Sequence, residues 1–145
     1  MLLTCYKQYS IHGNITIRQI GEGAKMIIKM GWLLLALIHA TPALAFFRPA
    51  MLTKMYRITP DSGLFILMHH RSALFVVVVV TCLWAMFQPE VRQLATVVLG
   101  ISMASFVALW WQSGAPPALR TIAVTDIVGL VILLFLGWQA FSGGN

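Results

Sequence analysis

Six residues of this chain have side chains that could do chemistry in a place where such side chains are rare. His69, His70 and Arg71 interrupt the apolar run Leu64 to Phe87 (LFILMHHRSALFVVVVVTCLWAMF), His39 sits in the apolar stretch LLLALIHATPAL, and Thr125-Asp126 opens the run VTDIVGLVILLF. A charged group inside such a run costs about 2.5–3.5 kcal/mol on insertion scales, so ionisable residues there mark functional sites or paired structural ones. Histidine, titrating near pH 6.5, suits binding or proton handling. Two histidines on facing helices could also ligate a b-type haem, His39 with His69 or His70. Other chemistry has no footing: the chain lacks H-E-x-x-H, G-x-S-x-G and a Gly-rich phosphate loop, so no catalytic residue is assigned and an enzyme is disfavoured. Cys5 and Cys82 stand alone without a C-x-x-C. No metal site and no cofactor is predicted, haem b being the alternative.

The elements that must position these residues are transmembrane. Of 145 residues, 59% are hydrophobic and 10% charged, with a mean hydropathy of +0.85. A soluble domain carries about 25% charged residues. The net charge of +6 comes from ten Lys and Arg, scattered singly rather than in a basic run, which argues for membrane flanks and against nucleic acid. The bilayer is thus the first partner. Four apolar runs, about 30–47, 64–87, 93–112 and 120–141, each approach the roughly 20 residues needed to span hydrocarbon. The expectation is an all-α, four-transmembrane-helix bundle in a bacterial inner membrane.

Residues 1–25 are polar and lack an apolar face, and are expected to be a disordered extension or not native. Gly21-Glu22-Gly23 is encoded by a purine-rich GGN-GAR-GGN, like a ribosome-binding site two codons ahead of Met26. Residues 26–47 pose a choice between signal peptide and retained helix. Lys25, Lys29 and the Ala43-Leu44-Ala45 pattern suit a signal; His39 in the apolar stretch and the continuation through Phe46-Phe47 favour a retained helix. Ala36, Ala40 and Ala43 give it a small-residue face, and Pro42 leaves the Ile38 carbonyl without its helical donor. Arg48 to Gly63 reads as a surface loop, 88–92 as a tight turn and 113–119 as a Gly/Pro loop. In the third helix Gly100, Ala104 and Ala108 form a face for close packing within the chain or between copies, and Ser102 and Ser105 offer interhelical hydrogen bonds. Trp84, Trp110-Trp111 and Trp138 stand as interfacial anchors, and with Met26 as the start the flanking charges lean towards cytoplasmic loops with exported termini.

Arg71 lies about eight residues into its helix and Asp126 about six into its own from the same surface, so at about 1.5 Å per residue they share a depth. They are expected to face each other as an ion pair. Either the pair is structural, with His39, His69 and His70 capped by their neighbours, or the cluster with Thr125 is a binding or proton-handling site. The IHATPAL, YRITPDSGLFILMHHRSALF, LGISMASF and ALRTIAVTDIVGLV segments together resemble the DoxX-like group of small four-helix membrane proteins. That resemblance implies the fold, and for some of the group a thiol or quinone redox system. The sequence reading is therefore a membrane-embedded binding or accessory protein with an unknown small-molecule ligand and a homo-oligomeric or membrane-protein partner. The alternatives are the haem carrier and a proton-coupled transporter.

Overall fold

The structure, a computed structural model, describes the backbone of residues 2–142 and, from residue 22 on, their side chains apart from Met55. The expectation for residues 1–25 falls mostly outside those described side chains. The protein is an all-α four-helix bundle: α1 (Leu2–Phe47), α3 (Gly63–Phe87), α4 (Arg92–Gln112) and α5 (Arg120–Ser142) are its long helices, and α2 (Ala50–Tyr56) is a short fifth. Each long helix contains a segment long and apolar enough to cross a membrane, Glu22–Phe47 in the case of α1. Large apolar side chains such as Leu37, Val77, Ile101 and Leu134 point outwards all round the bundle, as lipid-facing helices require.

The loop expected at 48–63 is partly helical. Pro49 occupies the N-cap of α2, where its fixed φ suits a helix start, and Arg57 closes the helix in the left-handed region at φ 54°. Leu52 and Ile58 then anchor the segment in the interior. Ser62 caps α3, its Oγ accepting from the Phe65 amide at 3.2 Å and donating to the Thr59 carbonyl at 2.8 Å. The 88–92 turn and the 113–119 loop each close with a 3₁₀ turn, Pro89–Val91 and Pro117–Leu119.

The helices form a ring of two tight pairs, α1 with α3 and α4 with α5; α1 also meets α5, whereas α3 and α4 are the loosest neighbours among the long helices. Between lipid-facing helices the hydrophobic effect is weak, so close approach through small residues must hold them. On α1 the expected face serves, with Ala36 and Ala43 buried. On α4 it does not: Ala104 and Ala108 are exposed. The close approaches come from α5 instead. A Cβ on Gly129 would lie 2.8 Å from Met103 Sδ and one on Gly137 2.8 Å from Thr96 Cγ2, while on α1 a Cβ at Gly31 would lie 2.9 Å from Leu136. The core these contacts enclose, Trp32, Leu35, Cys82, Ala85, Ala95, Leu99 and Leu136, fills the end nearest the α3–α4 turn. Trp32 is wholly buried and its indole N–H has no partner among the described residues. Arg92 closes that end by donating from Nε to the Ala85 carbonyl at 3.0 Å, a carbonyl in the last turn of α3 that no helical amide reaches.

Candidate functional site

The opposite end of the bundle is polar inside. α1 contributes His39, α3 Arg71 and α5 Asp126; His39 is 2% and Asp126 9% exposed, and Arg71 is half-buried. The three side chains line two adjoining cavities of about 260 and 290 Å³, which also share Phe75. The first extends towards α4, past Ser102, Met103, Phe106 and Leu109. The second runs towards the membrane surface, past Thr121, Thr125 and Tyr56 of α2. Tyr56 and Ile122 also line an outer cavity of about 440 Å³ beside Arg57 and the 3₁₀ turn after Pro116. A string of cavities thus leads from the surface to the charged residues.

The expected ion pair is not formed. Among the described residues the one ion pair is Lys25–Glu22 at 3.7 Å, so Arg71 and Asp126 share the chamber without touching. Arg71 instead carries its guanidinium over two rings, 5.5 Å from the centroid of Phe75 and 5.1 Å from that of Phe106. Cation–π contacts of this kind are worth up to about 2 kcal/mol when desolvated. They balance the charge from the side and leave the N–H donors to be met by something else. Neither the guanidinium nor the Asp126 carboxylate has a hydrogen-bond partner among the described residues.

His39 turns back along its own helix. Its Nδ1 lies 2.8 Å from the Leu35 carbonyl, and because a carbonyl only accepts, that nitrogen carries the proton. In a neutral ring with that tautomer, Nε2 is the acceptor. Its face lies 5.8 Å from Phe75, and the Ile38 carbonyl freed by Pro42 is not its partner. Thr125 donates to the Thr121 carbonyl at 2.9 Å, so its hydrogen is engaged within α5.

His69 and His70 stand apart from this cluster. His69 Nε2 donates to the Phe46 carbonyl at 3.0 Å, satisfying an orphan acceptor in the last turn of α1, and its ring packs against Phe46 at 5.4 Å. It ties α3 to the end of α1. His70 is exposed. Neither lines a cavity with His39, so these residues do not fit haem ligation from facing sides of one space. Ser105 donates to the Ser102 carbonyl at 3.1 Å within α4 rather than across helices.

The sequence reading missed Phe75, Phe106 and Tyr56. Phe75 stands one helical turn beyond Arg71, a spacing that brings the two side chains together and could have flagged it. Nothing in the sequence marks Phe106 or Tyr56, which come to the chamber through the packing of α4 and α2. No protein-family model, curated protein or solved structure matches the chain.

Proposed function

We propose that this integral membrane protein is a binding or accessory protein of the bacterial inner membrane, with the chamber bounded by His39, Arg71 and Asp126 as its site. One observation carries the reading: three helices each deliver an ionisable side chain to the same space, and the two opposite charges do not neutralise one another by contact. A purely structural pair at this depth would close to hydrogen-bond distance, because separated ions in a membrane interior are costly. The two adjoining cavities together reach the size of a small-molecule site, and their mostly apolar walls with a few convergent polar groups are the usual form of one. Kinship with the DoxX-like group belongs to the same proposal and agrees with the four-helix architecture.

The test is mass spectrometry of small molecules carried by the protein when it is extracted from its own membranes into nanodiscs. Wild type should carry a species that Arg71→Gln and Asp126→Asn lose while melting near the wild-type temperature. Identical bound species in all three proteins would make the chamber structural. An absorption spectrum of the same sample tests the haem alternative, for which a Soret band is required.

A further inference from the structure

We propose that the chamber seats the zwitterionic phosphoethanolamine headgroup of a lipid from the surrounding bilayer, its phosphate on Arg71 and its ammonium between Asp126 and His39. The assignment rests on the chamber being a binding site and names the ligand class from three features of its walls.

The first feature is the inventory of unmet hydrogen-bonding groups. Arg71 presents the planar fork of N–H donors that binds phosphate oxygens in pairs, and its charge is held in place by Phe75 and Phe106. Asp126 presents two carboxylate oxygens, and His39, its Nδ1 engaged with Leu35, presents Nε2. These three acceptors match the three N–H donors of a primary ammonium.

The second feature is charge balance. With the His39 ring neutral, Arg71 and Asp126 are the only formal charges on the walls of either cavity. An anion alone would put a second negative group beside Asp126, and a cation alone would sit beside Arg71. A zwitterion of matching polarity satisfies both ions without adding net charge to a low-dielectric space.

The third feature is the sideways mouth. Away from the charged residues the first cavity is walled by Leu74, Val78, Met103, Phe106 and Leu109, of which Leu74 and Leu109 are 53% and 60% exposed on the outer surface of the bundle. They flank the seam between α3 and α4, the loosest of the ring. In a bilayer that mouth faces acyl chains, so an occupant entering there carries a hydrocarbon tail that remains outside the chamber.

The experiment measures lipid retention by native mass spectrometry, with the purified full chain offered phosphatidylethanolamine, phosphatidylcholine and phosphatidylglycerol in turn, and soluble phosphoethanolamine as competitor. Wild type should retain phosphatidylethanolamine about tenfold over the other two, a difference of about 1.4 kcal/mol; phosphatidylcholine lacks the N–H donors and phosphatidylglycerol lacks the cation. The isosteric Asp126→Asn should erase the preference over phosphatidylglycerol, and Arg71→Gln should lower retention of all three. Leu109→Trp, an exposed position whose change leaves the core untouched, should block the mouth and reduce lipid retention.

Equal retention of the three lipids by wild type overturns the proposal, as does a phosphatidylethanolamine preference that survives Asp126→Asn. Binding of phosphoethanolamine that is undiminished in Leu109→Trp, without any lipid preference in wild type, would assign the chamber to a soluble zwitterion and overturn the lipid. A different small molecule lost from Arg71→Gln would overturn this ligand class while leaving the binding reading intact; no difference between wild type and variants in any bound species would overturn both.

Discussion

The two ends of this bundle are built from the same four helices and solve opposite problems. Near the α3–α4 turn, Trp32, Leu35, Cys82, Ala85, Ala95 and Leu99 are all fully buried, and Gly31 and Gly137 let neighbouring helices approach until an added Cβ would lie 2.9 and 2.8 Å from the facing side chain. Near α2, the same helices separate enough to enclose two cavities among His39, Arg71 and Asp126. The difference teaches where stability and function reside. In hydrocarbon, dispersion contacts at close approach are the main force between helices, so the dry end holds the ring together and frees the other end to keep costly, incompletely partnered polar groups.

The sharpest way to break the comparison is to hollow the dry end. Trp32→Ala should lower stability by about 3–5 kcal/mol, the usual cost of emptying a large aromatic site, read as detergent melting. Its orphan indole N–H offsets a little of that loss, because an unmet donor disappears with the ring. Phe106→Ala on the chamber, where the side chain is only partly buried and borders a cavity, should cost well under half as much. Equal losses at the two positions would mean that the chamber is packed as tightly as the core.

Gly137→Leu comes next, with an expected loss of about 1–3 kcal/mol from overpacking against Thr96. Thr96 is β-branched and donates to the Arg92 carbonyl at 2.7 Å, so it yields less readily than the flexible Met103 that faces Gly129. Gly129→Ala should therefore be the milder change. If both were silent in melting, α4 and α5 would not approach as closely as the structure has them.

How much of this was legible beforehand follows from what each feature depends on. The four long helices are written in run length and composition, and their ends in Ser62, Pro89 and Pro117, all local signals. α2 is not legible, because its seven residues lie in a stretch whose charges and two prolines mark a surface loop. Depth along a helix is legible, which is why Arg71 and Asp126 are expected at one level; azimuth is not, and a modest rotation decides whether Arg71 meets Asp126 or the rings of Phe75 and Phe106. His69 could not be recognised as a cap for Phe46, because that carbonyl is orphaned only by where α1 ends and how α3 passes it. The choice of Gly100, Ala104 and Ala108 over Gly129 and Gly137 failed for the same reason: small residues at helical spacing show a face, and only packing shows which way it turns.

A smaller effect is expected from the charges. Arg71→Leu and Asp126→Leu should each change melting stability by no more than about 1 kcal/mol, in either direction, because neither ion touches the other and what Arg71 loses over Phe75 and Phe106 is offset by the desolvation that its removal relieves. A direct buried pair would lose about 3–5 kcal/mol from either single change and recover it in the double. Recovery in the double would therefore restore the ion pair expected from sequence and close the chamber.

The smallest effect should come from the outer face of α4. Ala104 and Ala108 are exposed and line a shallow surface groove with Val107, Trp111 and, from α5, Leu130, so a larger side chain there has open space to occupy without entering the core. Ala104→Leu and Ala108→Leu should stay within about 0.5 kcal/mol of wild type, the range of substitutions away from packed features. The measurement gains force from concentration. Within one chain the expected silence is independent of dilution, whereas two copies packed through this small-residue face would lose stability on substitution and lose the difference again when diluted apart. Melting each variant at two protein-to-detergent ratios separates those outcomes. A loss at both ratios would place the face against a helix of its own chain, contrary to the outward orientation of Ala104 and Ala108.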